Sequence, residues 1–408
     1  MSQAVEQRTR LGVFGAAMPL AGFGLYVALL TPVVVTLALK VEAVAPATKE
    51  RDLGLVLGLG ALLAMISNPI AGRLSDRTYS RFGMRRPWLI AGTLLGTVGL
   101  VLVAVADDVP LIGVGWCLAQ VAYNGALAAL TATLPDQVPE ARRGAVSGLA
   151  GIALQVAIVA GAVTAAVFSG DLARFLVPAA IAVVLVAVFA FVLRDRVLPA
   201  RPADRFGLRA LLGTFVFDPR RHPDFGWTWL TRFAFMFATA TGVTYLPYFL
   251  TDEIGIPSGD VPRRVAFATV VLTIMTVATS IAGGVLSDRV GRRKPFVMVA
   301  AVVAMIGLVI VAFAGSFSQV VVGLVVFGVG TGCFYAVDLA LVTQVLPSSD
   351  DTGKDLGVIN IANALPQSLA PAIAPVFIAI GGYPLLFLTG AAVGIVGALL
   401  VTRVRSVA

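Results

Sequence analysis

Along the 408 residues, apolar runs of 18 or more alternate with short polar breaks from one end to the other. Each run is long enough to cross a hydrocarbon core of about 30 Å as an α-helix. Backbone groups find no water there, so a spanning chain must be helical or a closed barrel. Barrel strands are shorter and alternate polar with apolar positions; these runs do neither. The pattern predicts an all-α membrane protein of twelve helices, at 11–39, 53–75, 87–106, 109–134, 144–168, 175–193, 227–251, 264–287, 295–314, 318–346, 355–380 and 382–402. The longest polar interruption, 194–226, opens with Arg194-Asp195-Arg196 and holds Pro199, Pro202, Pro219 and Pro223. It divides the chain into a six-helix bundle over 1–193, a connecting loop over 194–226 and a second six-helix bundle over 227–408.

The two halves repeat. Gly72-Arg-Leu-Ser-Asp-Arg77 returns as Gly284-Val-Leu-Ser-Asp-Arg289, 212 residues later. Tyr123 and Tyr335, Thr131 and Thr343, Leu134-Pro135 and Leu346-Pro347, and Gln155 and Gln367 keep the same offset. One offset held through several helices predicts two pseudo-symmetric bundles, the layout of alternating-access carriers.

Composition agrees: 58% of residues are hydrophobic and 13% charged, too few charges for the surface of a soluble protein. The net charge of +8 could signal a nucleic-acid partner, but its distribution argues against one. With the N-terminus inside, the outer loops hold six of the 30 basic residues: Lys40, Lys49, Arg51, Arg174, Arg263 and Arg264. Arg232 lies within a helix and the rest are cytoplasmic, so the positive-inside rule puts both termini in the cytoplasm of a cell (inner) membrane. Cys117 and Cys333 sit in apolar helices and read as small buried hydrophobes. The first apolar run reads as a retained helix and not as a removable signal.

Each repeat carries a charged loop between its second and third helices. The first is Gly72-Arg-Leu-Ser-Asp-Arg-Thr-Tyr-Ser-Arg-Phe-Gly-Met-Arg-Arg-Pro87 and the second Gly284-Val-Leu-Ser-Asp-Arg-Val-Gly-Arg-Arg-Lys-Pro295. Gly72 and Gly284 would let neighbouring helices approach closely. Asp76 and Asp288, at helix ends, can pair with Arg77, Arg81, Arg85 and Arg86, or with Arg289, Arg292 and Arg293. Ion pairs that form in one state and break in another make a gate; the bland alternative is a solvated basic loop that serves topology. These loops resemble the G-x-L-x-D-R-x-G-R-R motif of the major facilitator superfamily, and the resemblance spans the whole chain. The longer first copy is similar to that of the glycoside–pentoside–hexuronide cation symporters and, within them, the sucrose-transporter-like branch. Leu29-Leu-Thr-Pro32, Asn68-Pro69 and Gly357-Val-Ile-Asn-Ile-Ala-Asn-Ala-Leu-Pro-Gln367 carry the same resemblance. Sucrose transporters have an intramembrane arginine in the fourth helix; small residues from Ala126 to Ala129 stand here, which argues against sucrose itself. The Gly-Pro motif of drug–proton antiporters is missing from the fifth helix.

Ionisable residues inside the bilayer are costly and point to function. Asp338, eight residues before Leu346, is a candidate proton carrier or else a hydrogen-bonded structural anchor. Thr331 and Tyr335, seven and three residues earlier, share its helix face. Arg232, five residues into the seventh helix, can snorkel to water or partner a substrate or Asp338. Asn360, Asn363 and Gln367 line one face of the eleventh helix; Gln120, Asn124 and Thr131 line one of the fourth. Amides both donate and accept, which suits hydroxyl-rich ligands as well as helix–helix contacts. Tyr335, Tyr245 and Tyr248 could stack on a sugar face, with an interface anchor as the alternative for Tyr248. His222, in the connecting loop, reads as solvated. No phosphate-binding loop, metal cluster or nucleophile–base set is apparent, so neither an enzyme nor a cofactor is expected, and no residue is read as catalytic or metal-binding. The resemblance implies a monomer that moves a small polar solute, a sugar or glycoside foremost, by symport with a cation, most simply a proton. Export of an amphipathic compound by proton antiport is the rival, and a non-transporting membrane sensor a remote one.

Overall fold

In the computed structural model, the structure describes residues 2–199, 222–291, 293–344 and 352–404. The chain forms two units, Met1–Arg205 and Phe206–Ala408. In the first, α1 (Ser2–Thr31) passes through a π-helical turn, Pro32–Thr36, into α2 (Leu37–Val44). Pro32 offers no N–H to the carbonyl four residues back and its ring crowds that oxygen, so the ladder widens there. Then come α3 (Lys49–Asp76), α4 (Arg86–Val105), α5 (Val109–Gln137), α6 (Glu140–Val167) and α7 (Asp171–Val192). α3 and α4 pack on α5, α1 packs on α6 and α7, and α4 also meets α7.

The second unit repeats the plan. α8 (Pro223–Thr244) and α9 (Leu246–Asp252) form one span bent by 43° at Tyr245. Pro247 removes a ladder hydrogen bond and restricts Leu246 before it. The bend falls at the same place in the repeat as the π-turn at Pro32. α10 (Val261–Val290), α11 (Lys294–Ala312) and α12 (Phe317–Gln344) follow. The last, α13 (Thr352–Leu400), is two helices interrupted at Gly381 and Gly382, where φ reaches 68° at Gly382. That left-handed conformation costs glycine nothing. α13 packs on α8 and α11, and α12 on α10 and α11.

Among the described residues, ten helices are long and apolar enough to cross a membrane, and the bent α8–α9 pair makes eleven. The Ile361–Arg403 span, 43 residues long, doubles at the glycine break, which gives the twelve expected from the sequence. Large apolar side chains such as Leu94, Ile152, Phe191, Ile281 and Ile380 are exposed, as lipid-facing positions require.

The expected loop from residue 40 to 52 is a correction. Helix continues to Val44 and resumes at Lys49. Lys40 Nζ donates to an Asp171 carboxylate oxygen at 2.8 Å and to the Ala104 carbonyl at 3.0 Å. Lys49 Nζ reaches Glu42 at 2.8 Å. Charges paired in this way can remain helical and buried, so a polar run there does not mark a loop.

Close helix approach also lies elsewhere than expected. A methyl on Gly72 would meet the Ala128 Cβ at 3.9 Å, and one on Gly284 the Ala336 Cβ at 3.7 Å, both ordinary contacts within their units. A methyl on Gly99 would sit 2.6 Å from the Gly115 carbonyl oxygen, and one on Gly307 equally 2.6 Å from that of Gly323. Only glycine lets α4 meet α5, and α11 meet α12, backbone to backbone.

Candidate functional site

Three helices of the second unit bring together side chains far apart in sequence. Asp338 on α12 is 1% exposed and receives the Arg232 Nη1 of α8 on its Oδ2 at 2.5 Å. Arg232 Nε donates to Asn363 Oδ1 of α13 at 2.6 Å. The arginine side chain is 13% exposed, so it is held by these partners and does not snorkel to water. Asp338 Oδ1 is buried without a hydrogen-bond partner among the described residues.

The apolar packing explains why the pair meets. Phe235, one turn beyond Arg232, stacks on Phe334, one turn before Asp338, with centroids 3.6 Å apart and planes 8° from parallel. Trp229, one turn before Arg232, donates its indole N–H to the Val358 carbonyl at 2.8 Å and ties α8 to α13. These two contacts fix the backbone spacing at which guanidinium, carboxylate and amide touch.

Tyr335 lies one turn from Asp338, partly exposed, its hydroxyl 3.9 Å from Met236 Sδ. Thr331 is buried and donates to its own helix at Phe327 O, 2.7 Å away. Gln367 is exposed and donates to the Asn363 carbonyl at 3.2 Å. The side chain of Asn360 lies outside the described residues. Tyr245 and Tyr248 are fully buried and present no face to a sugar. Tyr245 instead donates to the Pro371 carbonyl at 2.9 Å, an oxygen that lacks its helical donor because position 375 is also proline.

In the first unit, Asn124 Nδ2 donates to the Gln120 carbonyl at 2.8 Å and to Gln120 Oε1 at 2.9 Å. Gln120 is buried and Asn124 half-buried. Thr131 is spent on its own helix, donating to Leu127 O and Ala128 O. The 212-residue offset pairs Asp338 with Ala126, Arg232 with Leu20 and Asn363 with Gly151, and the 208-residue register of the α5 and α12 glycine contacts pairs Asp338 with Leu130, so no charged residue stands at the equivalent positions of the first unit.

The first charged loop is a knot centred on Arg85, which is 4% exposed. Its guanidinium pairs with Asp76, with Asp136 of α5 at 3.2 Å and with Ser75 Oγ at 2.6 Å. The Asp195 carboxylate accepts the backbone N–H groups of Arg85 and Arg86 at 2.7 and 2.6 Å and so caps α4 from the chain leaving α7. Gly83, at φ 101°, leaves room for that carboxylate; a methyl there would overlap it. Arg86 bonds the Leu193 carbonyl, while Arg81 lies exposed over the Phe82 ring. Sequence reasoning missed Asp136 and Asp195, which no spacing links to the motif; the repeated Leu-Ser-Asp did offer a signal for Ser75. The second loop is looser: Asp288 and Arg293 are 3.6 Å apart and Ser287 Oγ has no partner among the described residues. Arg289 is exposed, and Arg292 lies outside the described residues.

The family model described as Major Facilitator Superfamily matches residues 11–278 and 259–407. A 50-residue stretch is 48% identical to the general alpha-glucoside permease of Schizosaccharomyces pombe, covering 12% of this chain and 9% of that protein. A 110-residue stretch is 34% identical to a probable 4-methylmuconolactone transporter of Cupriavidus pinatubonensis, covering 26% of this chain and 25% of that protein. The chain thus aligns with a quarter or less of the length of these curated relatives. The fold is similar nearly end to end to the nucleoside transporter NupG, with a TM-score of 0.75 at 13% identity over 96% of this chain and 99% of the other. It is also similar to the D-xylose-proton symporter, with a TM-score of 0.70 at 16% identity over 97% and 98%.

Proposed function

The chain belongs to the major facilitator superfamily and is a multi-pass membrane transporter, and on that premise we propose that it takes up a small polar solute, a sugar or glycoside, by proton symport. The observation that carries this reading is the Arg232–Asp338–Asn363 cluster. A carboxylate buried inside a span is costly unless it serves the transport cycle. Proton binding at Asp338 neutralises the acid and frees Arg232; proton release restores the pair. That is a two-state element of the kind alternating access needs. Tyr335, Asn363 and Gln367 surround it with hydroxyl and amide groups able to meet a hydroxyl-rich solute, and the α-glucoside permease and xylose symporter likenesses agree with a sugar. In the same reading Gln120, Asn124, Thr331 and Asn360 contribute to solute binding. The charged loops, with Gly72, Asp76, Arg77, Arg81, Arg85 and Arg86 in one and Gly284, Asp288, Arg289, Arg292 and Arg293 in the other, gate the cytoplasmic side. The excess of basic residues on one set of loops supports a cell-membrane carrier with both termini in the cytoplasm. The carrier works as a monomer.

Paired assays in proteoliposomes test it. Asp338→Asn mimics the protonated acid and cannot cycle its charge, so uptake driven by a pH gradient should collapse. Exchange of labelled for unlabelled solute should survive, because the loaded carrier still reorients. Gradient-driven uptake by Asp338→Asn at the wild-type rate would remove Asp338 from the coupling step.

A further inference from the structure

We propose that the transported solute bears one carboxylate, as a sugar acid or an acidic glycoside does, and that this group takes the place of Asp338 against Arg232. The inference rests on the proton-coupled reading above and names the class of its solute.

Charge balance carries it. Arg232 keeps its charge under every ordinary condition. Its counter-charge is Asp338, at 2.5 Å, and its Nε is occupied by Asn363 at 2.6 Å. The remaining nitrogen, Nη2, has no acceptor among the described residues. Among the described residues, Asp338 is the acid paired with Arg232. When a proton from water adds to the Asp338 carboxylate, that ion pair is lost, and no other acid among the described residues pairs with Arg232 to replace it. A neutral sugar would leave an isolated guanidinium, 13% exposed, inside a membrane span. A carboxylate would restore neutrality and could bind Nη1 and Nη2 together in the bidentate geometry that guanidinium favours.

Asn363 makes the exchange specific. By holding Nε it keeps the guanidinium plane in place when Asp338 lets go, so the free edge stays presented to the incoming group. The balance also fixes the charge of the ligand. The empty site holds one positive and one negative charge; the loaded site holds Arg232, a protonated Asp338 and the solute carboxylate, again neutral. A dianion such as a phosphate monoester would leave an uncompensated negative charge. On the far side the proton leaves Asp338, the carboxylate reclaims Arg232, and the solute departs. One proton and one monoanion cross together, so the cycle moves no net charge, whereas proton symport of a neutral sugar moves one positive charge per turn.

The test uses the purified full-length protein in proteoliposomes with an inward proton gradient. The probes are matched pairs: D-glucuronate with D-glucose, D-galacturonate with D-galactose, and methyl-β-D-glucuronide with methyl-β-D-glucoside. The membrane potential is clamped with valinomycin at zero or interior-negative. The acid of at least one pair should enter at least about tenfold faster than its neutral mate, the least that loss of a charge-assisted pair should cost. Its rate should not change between the two potentials. The double variant Arg232→Gln/Asp338→Asn, which removes the pair as a unit and is read by exchange of labelled for unlabelled solute because it cannot run the proton cycle, should lose the wild-type exchange preference for the acid. Uptake of the neutral sugar, accelerated by an interior-negative potential, overturns the carboxylate inference and leaves proton–sugar symport standing. Retained preference for the acid in the double variant overturns it as well. Uptake of neither member of any pair sinks both readings.

Discussion

The Arg232–Asp338 pair should show a strong, non-additive effect on stability. Asp338→Leu leaves the guanidinium with only the neutral Asn363 oxygen at 2.6 Å. The positive charge cannot be lost, and breaking a buried pair from one side costs about 3–5 kcal/mol. Arg232→Met leaves Asp338 with no donor, because Nη1 was the one group bonded to it and Oδ1 already has none among the described residues. The acid can escape by taking up a proton, so this variant should cost less, about 2–3 kcal/mol. Replacing both removes two desolvated charges together and should fall within about 1–2 kcal/mol of wild type, since apolar substitutes for a buried pair are often neutral. The coupling energy should therefore exceed about 2 kcal/mol, well beyond the ~0.5 kcal/mol within which independent sites add. The four proteins, purified in one detergent, can be compared by thermal or denaturant unfolding. Additivity of the single variants would mean that the contact is incidental and that neither residue answers to the other.

Other consequences are simpler. Asp195→Ala removes the cap of α4 and should cost about 0.5–2 kcal/mol while raising cysteine-labelling rates in the 77–85 loop; unchanged labelling would separate Asp195 from the loop. Asp76→Asn should slow transport more than Asp288→Asn, because the first acid joins the buried Arg85 knot and the second a pair 3.6 Å apart; equal slowing would refute that ranking. Tyr245→Phe orphans the Pro371 carbonyl and should lower stability by about 1–3 kcal/mol, readable as a drop in melting temperature, with an unchanged melt counting against it.

The spans were legible because apolar length alone dictates a helix in lipid, and the boundary expected between 380 and 382 coincides with the observed break at Gly381 and Gly382. The 40–52 segment was not, because Lys40 and Asp171 are 131 residues apart and nothing local says that they pair. The same limit holds at the site. Cost inside the bilayer singles out Arg232 and Asp338 one by one, but their contact spans 106 residues and depends on the Phe235–Phe334 stack. Helical spacing groups Gln120, Asn124 and Thr131 on one face; it cannot tell that Thr131 bonds its own backbone or that Asn124 bonds Gln120. Spacing gives a shared face, and tertiary packing decides which groups are left for a ligand.

The internal repeat turns this into an argument about purpose. Gly99 with Gly115 and Gly307 with Gly323 make the same backbone contact, at an offset of 208 residues because the first charged loop is four residues longer. Both units need glycine there for their helices to meet. A structural need for the charged cluster should likewise appear twice, yet Leu20, Gly151 and, in either register, Ala126 or Leu130 stand where the second unit has Arg232, Asn363 and Asp338. The first unit packs α1 on α6, the counterpart of α8 on α13, with no charged side chain at these positions. A charge at the centre of a span costs about 2.5–3.5 kcal/mol on insertion scales; the buried charges of the first unit, Lys40, Lys49, Asp52 and Arg85, lie at or near helix ends, whereas Asp338 lies inside α12. Packing therefore does not account for the cluster, and its presence in one unit alone is the asymmetry expected if Asp338 carries the coupled proton proposed above.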